Sequence, residues 1–472
     1  MQTRKSIQLN GGALIYGLVI MAIVQILLVS IVQFVTQNMK YSLQMRSKEQ
    51  SLQIAEAGIE FYRWYLAHNV EGKTAGQIDA FWTGGSAYGV GSAYEAEYTD
   101  PSGATAGKYR LEVTPPNSGS TIVIVKSTGW TYRYPAQKRI IQVRLRKPSW
   151  SENILLSNDF VRFGAGTEVY GKIHSNYGIR FDGVAHNLVT SSVAKYDDPD
   201  HNGADEFGVH THNPVDPLPP AAVPNVPAIF EAGRSFPEPT ADFNGVLGDL
   251  NLMKATAVAG TGGSRYFNNA GQGRHIILKA NDTFDIRTVQ SFNASTNEIN
   301  NYSGAWANYA LPNNGVIYVE NNVWIEGTVN GRRVTVVAAN LISSSQKTMY
   351  LGKDIRYTNY DCSDMVGLIG QKDVEVYRQS NDFLRIDAAL IAQTGRVGRA
   401  NYTGTYATRN TITVFGAIAS NQRYGFAWAD AMGNHVSGYV NRNLTYDNNL
   451  MYCPPPYFPT GTQYELDLWE EL

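Results

Sequence analysis

From Ala13 to Val35 the chain reads ALIYGLVIMAIVQILLVSIVQFV, with Gln25, Ser30 and Gln33 as its only strongly polar side chains. As a helix rising about 1.5 Å per residue, this run covers the roughly 30 Å of a bilayer's hydrocarbon core. Arg4 and Lys5 precede it, and the cytoplasmic bias of positive charge predicts an N-terminus inside and the bulk of the chain outside. A secretory signal has a shorter apolar stretch followed by an Ala-x-Ala-like site. Here TQNMKYSLQMRSKEQS follows instead, so the run is expected to be retained.

The helical pattern continues past the run. Met45, Leu52, Ala55, Ile59, Tyr62 and Leu66 recur at intervals of seven, three, four, three and four, which places them on one helix face. No Pro interrupts residues 13–68, so one helix of about 84 Å is expected, half in lipid (13–35) and half outside. The whole chain of 472 residues is 43% hydrophobic with a net charge of −2. That is enough for a large core, and without a basic block nucleic-acid binding has no electrostatic footprint.

A short basic leader ending in Gly11 and Gly12, an immediate apolar helix, and an amphipathic extension carrying QIAEAGIEFY together resemble the N-terminus of type IV pilin-like proteins. The resemblance is to the long minor pilins with an Ala-Glu-Ala-Gly element, here Ala55, Glu56, Ala57 and Gly58. It implies cleavage of residues 1–12 by a prepilin-type peptidase after Gly12, leaving Ala13 as the mature amino terminus. It also implies other pilins and a membrane assembly platform as partners, and a final place in a surface filament. The sequence departs from the major pilins in two places: Ala13 stands where they begin with Phe or Met, and Gly17 stands at the fifth mature position, where they carry Glu. A buried carboxylate there is tolerable beside a neighbour's terminal amine. A subunit with Gly17 cannot make that pair, and the tip pseudopilin of type II secretion systems similarly lacks the Glu. A tip or priming subunit is the implied role. The alternative is a single-pass anchor, never cleaved, carrying a surface adhesin.

Residues 69–150 hold three alternating runs, KYRLEVT (108–114), STIVIVKSTGW (120–130) and KRIIQVRLRK (138–147). These predict antiparallel strands packed on the emerging helix as a pilin-like head. From 151 to 450 short apolar strands alternate with Gly, Asn and Asp, and a degenerate motif recurs: VYGKIHSN (169–176), MVGLIGQK (365–372), VFGAIASN (414–421) and, more loosely, VWIEGTVNG (323–331). Stacked coils with Asn ladders at their corners, a parallel β-solenoid, are expected, with an irregular β-sandwich as the alternative. The fold class is thus mainly β behind a long N-terminal helix. The tail, 451–472, opens with Pro454–Pro456, expected to lie over the end of the β stack with Leu468 and Trp469 as anchors.

The two cysteines, Cys362 and Cys453, fall on the exported side. They predict either one disulfide, whose roughly 90-residue loop adds on the order of 4 kcal/mol, or two buried thiols. The richest chemical cluster is YDDPDHNGADEFGVHTH, 196–212. Asp198, Asp200, Asn202, Asp205 and Glu206 approximate a calcium loop, although Val209 stands at the closing position, so a solvated acidic turn is the alternative. His201, His210 and His212 form a weaker set of zinc ligands. The Pro-rich stretch 214–227 that follows reads as a surface loop. No nucleophile elbow, P-loop or Cys/His constellation is present. No cofactor is required and no enzyme is expected. A solenoid glycan enzyme is the second alternative, with Asp182, Asp354, Asp373 and Asp387 as its carboxylates. Exposed Tyr and Trp suit a glycan or protein ligand of an adhesin equally.

Overall fold

The computed structural model describes residues 12–472 other than 71, 72, 74, 117–121, 148, 202, 242, 244, 245, 431–433 and 460–463. Residues 1–11 of the expected 1–12 leader lie outside the described residues. Helix α1, Gly12–Val70, is unbroken over 59 residues, about 88 Å. Its two halves meet different surroundings. From Leu14 to Met45 the large apolar side chains other than the half-buried Leu43 stand in the open, Leu14 at 71% and Phe34 at 66% exposure. The hydroxyls among them fold back on the helix, Ser30 donating to the Ile26 carbonyl at 2.8 Å and Thr36 to Val32 at 2.7 Å. Neither therefore carries an unsatisfied donor into an apolar medium. Further on, Ile54, Ala55, Ile59, Tyr62, Leu66 and Val70 are buried. Met45, assigned to that face by spacing, is exposed, because the head grips the helix only from Ser47, whose hydroxyl lies 2.5 Å from that of Thr131.

The head is an antiparallel sheet in the order β1 (Tyr94–Thr99), β2 (Thr105–Thr114), β3 (Val123–Thr131), β4 (Arg139–Arg146) and then the last strand of the chain, Glu465–Glu471. Alternation puts Leu111, Val113, Val123, Val125, Ile141, Val143 and Leu145 against α1. Helix α2 (Ala75–Thr83) adds Phe81 and Trp82 to the same core. Helix and sheet touch through two glycines. A Cβ on Gly58 would meet the Ser127 hydroxyl at 2.5 Å, and one on Gly129 would overlap the Ser51 carbonyl and the Ala55 amide.

The terminal strand corrects the expectation for the tail. Residues 465–471 return to the head and pair with β4, while Leu468 and Trp469 are exposed. Their register is held instead by Asp467 with Arg144 and Arg146, and by Glu471 with Arg139. Pro454–Pro456 do not cover the end of the stack. They lie on the flank of two middle strands, where Arg333 donates to the Pro454 carbonyl at 2.6 Å and Thr335 to that of Pro456.

Between β4 and the terminal strand the chain winds a parallel solenoid. Its first face is one continuous parallel ladder of ten strands: Arg265–Phe267, Gly315–Val319, Arg333–Ala338, Met365–Gly370, the ends of Phe383–Ala392 and Thr408–Ser420, then Leu155–Ser157, Ile173–Ser175, Val189–Ser191 and Arg234–Ser235. Ile317, Val336, Leu368, Leu390, Ile418, Leu155, Ile173 and Val189 stack in register as an inward column. A second face includes Met349–Leu351, Val374–Val376 and Val397–Arg399. A third runs through 355–357, 383–388, 411–416 and 441–446 to Glu168–Tyr170. The parallel pairing of successive coils rules out the sandwich.

The order of coils is permuted. Coils of residues 265–446 stack first, and their last strand, ending at Ser420, pairs with Leu155–Ser157, the first of the earlier segment. The chain must therefore pass from Ser235 at one end of the ladder to Arg265 at the other, nine steps of roughly 4.8 Å or about 43 Å. Residues 236–264 make the crossing. Phe243 packs on Trp150 with ring centroids 4.6 Å apart and planes tilted by 50°, and α3 (Val246–Ala259) places Leu250, Met253 and Ala257 in the core.

Corner side chains tie the rungs. Asn176 donates to Asn158 at 2.7 Å, Asn158 to Asn421 at 2.8 Å, and Asn421 to the Gln393 carbonyl at 2.6 Å, while Gln371 exchanges hydrogen bonds with the Asn340 backbone. Three repeats of the motif thus share a corner, although Gly367 sits one place off Gly171 and Gly416 when the inward column is aligned. VWIEGTVNG is out of phase. Its Asn330 pairs with Asn359 at a different corner.

Candidate functional site

Two places carry chemistry beyond packing. The first is α1. Helix begins at Gly12 and Ala13, and a Cβ on Gly17 would meet nothing within 4 Å. The Ala-Glu-Ala-Gly element, read as an assembly feature, is turned mainly inward: Ala55 and Gly58 lie against the head's own sheet, Ala57 is half-buried and Glu56 is exposed. Small residues are needed there because the helix axis runs so close to β2 and β3. The apolar surface left for partners is residues 14–45, where each exposed Leu, Ile, Val or Phe forgoes about 1.5–3 kcal/mol relative to burial.

The second is an insertion between the first and second faces at the last full coil. Its hairpin strands Lys195–Tyr196 and Glu206–Phe207 return to Val209–His210, which pairs with Ile179–Phe181 on the second face. This brings Asp198, Glu206, His210 and His212 together, with one ligand atom of each within 4.8 Å of all the others. His212 Nε2 lies 2.9 Å from Glu206 Oε1, His210 Nε2 contacts Glu206 Oε2 and lies 3.5 Å from Asp198 Oδ2, and His201 Nδ1 reaches Glu206 at 2.9 Å. His210 is 1% exposed. Its Nδ1 has no hydrogen-bond partner, while its Nε2 and Asp198 Oδ2 have ion-pair contacts but no well-formed hydrogen bond. Burial opposes the charge on Asp198, but His210, the Asp200 amide and Arg180 outweigh it and hold the carboxyl down at about 2.

The calcium loop is not assembled. Asp200 turns to Arg423 at 2.8 Å and Asp205 to Lys195 at 2.7 Å, because those cations offer full charge pairing in opposite directions. Asn202 lies outside the described residues. Asp198 and Glu206 are buried, while Asp200, His201, Gly203 and Ala204 between them are exposed, so the solvated-turn reading holds for the tip and not for those two carboxylates. Two of the three histidines read as a weaker zinc set, His210 and His212, supply the other half of the cluster, and His201 stands outside it.

The four glycanase carboxylates serve separate contacts. Asp182 accepts from Arg180 and the His212 amide, and Asp373 from the Arg396 amide. Asp354 pairs with Arg356, while Asp387 accepts from Arg385 and Tyr360. Beside Asp373 a polar cavity of about 450 Å³ is lined by Asn297, Tyr350, Glu375 and Arg396, among others. Burial raises the Glu375 carboxyl to about 7, against the lowering effect of Arg396. An antiparallel hairpin, Thr283–Asn293 with Glu298–Ala310, carries the exposed Trp306 5.8 Å from the half-buried Tyr302, whose ring Arg287 covers at 4.7 Å. Cys362 and Cys453 are joined in a disulfide with Cα atoms 5.8 Å apart. It fastens the Pro strap to the loop before Met365.

No family model matches the chain, and no curated protein matches it. Among solved structures it is similar to the crystal structure of the competence-associated pilin ComZ from Thermus thermophilus. The identity is 12%, over 90% of this chain and 98% of that chain, with a TM-score of 0.31.

Proposed function

We propose that this chain is a pilin-like subunit of a type IV pilus or related surface filament, a structural component and not an enzyme. One observation carries the reading: a single 59-residue helix is bare over its apolar half and clasped by an antiparallel sheet over the other. Lipid and the helices of sister subunits are both apolar, so the bare half can leave one for the other at little cost in hydrophobic free energy. In this reading a prepilin-type peptidase removes the leader after Gly12, the N-terminus begins inside, and an assembly platform lifts the helix into the bundle. Gly17 offers no carboxylate to a neighbour's amine, which favours a tip or priming position. The solenoid is then the displayed part, with the Tyr302 and Trp306 hairpin as a surface for a glycan or protein ligand.

Mass spectrometry of the mature protein from peptidase-competent cells is the test. A start at Ala13 and recovery in sheared filaments are expected. A start at Met1 or Gln2 would retire the filament reading in favour of a fixed anchor. Labelling sheared filaments with antibody to the solenoid then reads the position, and signal along shafts would overturn the tip assignment.

A further inference from the structure

We propose that Asp198, Glu206, His210 and His212 bind one first-row transition-metal dication, zinc by preference, as a structural staple in the solenoid. Two imidazoles and two carboxylates in a closed pocket are a tetrahedral donor set for such an ion, with bonds of about 2.0–2.2 Å. Ligand atoms on that tetrahedron stand about 3.4 Å apart. The present spread of up to 4.8 Å closes with small rotations about the side-chain bonds. Calcium, which takes six to eight oxygens, finds at most four here.

The second line of support is what the pocket lacks. His210 is almost wholly removed from solvent, its Nδ1 has no hydrogen-bond partner, and its Nε2 is crowded by the Glu206 and Asp198 carboxylates without a well-formed hydrogen bond, an arrangement that is costly unless a cation sits among them. Asp198 Oδ2 beside it has only longer ion-pair contacts, to His210 at 3.5 Å and Arg180 at 3.6 Å, and no hydrogen bond. Two buried carboxylates with one cation nearby, Arg180 at 3.6 Å from Asp198, leave negative charge that a dication cancels. The surrounding contacts are those that orient metal ligands: Asp182 accepts from the His212 amide at 2.8 Å, and the Asp200 amide donates to Asp198 Oδ1 at 3.0 Å. Four protein ligands leave no open position for substrate, so the ion's role is to pin the 195–207 hairpin to the second face. The pinned hairpin also carries Asp200, which reaches across to Arg423 at the junction of the two coil segments.

The experiment uses the full chain, purified in detergent, stripped with chelator and titrated separately with Zn²⁺, Co²⁺ and Ca²⁺. One equivalent of Zn²⁺ bound after desalting, visible ligand-field bands of four-coordinate Co²⁺, and protection of the 197–205 segment from protease are expected. Glu206→Gln keeps the shape of the site and is expected to weaken Zn²⁺ binding at least 10-fold, and His212→Ala to abolish the Co²⁺ bands. His210→Ala serves as a third variant, and the thermal transition of each variant without metal reports whether it has folded. Absence of stoichiometric Zn²⁺, binding of Ca²⁺ in its place, or binding unchanged in folded Glu206→Gln and His212→Ala would each overturn the proposal. None of these outcomes bears on where the mature chain begins.

Discussion

The head and the solenoid bury comparable kinds of side chain by opposite arrangements. In the head, strands one turn apart in sequence run antiparallel, one face meets α1, and the burial of β3 alternates strictly along its length. In the solenoid, Gly315–Val319 and Met365–Gly370 are buried at every position, because one side faces the core and the other is covered by straps and loops. The head is therefore specified by a pattern within each strand, and the solenoid by agreement between strands a coil apart. Failure should be local in the first and propagate along the ladder in the second.

The sharpest break would come from Gly129→Val. The new side chain drives into the backbone of α1 at Ser51 and Ala55, and a loss on the order of 5 kcal/mol is expected in the head. Hydrogen exchange should show β2 to β4 opening while the solenoid amides stay protected; equal loss in both bodies would mean that they fold as one. Next is the disulfide. Its partners are 91 residues apart, so the double variant Cys362→Ser, Cys453→Ser should lose about 4 kcal/mol by the chain-entropy model. Thermal unfolding of the solenoid should move, with little change in the head core. Third, Glu375 makes the solenoid pH-sensitive. Its carboxyl is raised from 4.5 to about 7, so the stabilising contribution is full below about pH 4.5 and disappears as pH rises through 7. A difference of at most about 3 kcal/mol between wild type and Glu375→Gln should follow that window in denaturant titrations. The smallest effect belongs to Asn421→Ala. It removes one hydrogen bond across the junction of the two coil segments, from Asn158, and one to the neighbouring coil at Gln393, and about 1–2 kcal/mol should be lost, read as faster exchange at 155–157.

The sequence made these parts legible to different degrees. The long helix and β2 to β4 could be read directly, since apolar residues at periods of 3.6 and 2 are local signals. The solenoid was legible as a class through Asn176, Gln371 and Asn421, which share a corner. Its register was not, because Gly367 slips by one residue and VWIEGTVNG belongs to another corner. The terminal strand was hidden by its own alternation: Leu466 and Leu468 look like an inward face, yet Asp467 faces in toward Arg144 and Arg146, cations that only the fold brings near. The metal cluster was half visible. A loop template groups acids by spacing, and so it drew in Asp200 and Asp205, which Arg423 and Lys195 claim. The pairing of His210 with Asp198 needs the hairpin to fold back on the second face, and spacing alone does not show that.

The permuted stack also sets a timetable for biogenesis. As the polypeptide is made, the coils of 155–235 emerge first, with one edge of Leu155–Ser157 unpaired until residues 418–420 arrive. A bare parallel edge is an invitation to aggregation, so the nascent domain is exposed to wrong pairing over most of its own synthesis, and the head sheet gains its fifth strand only when residues 465–471 follow.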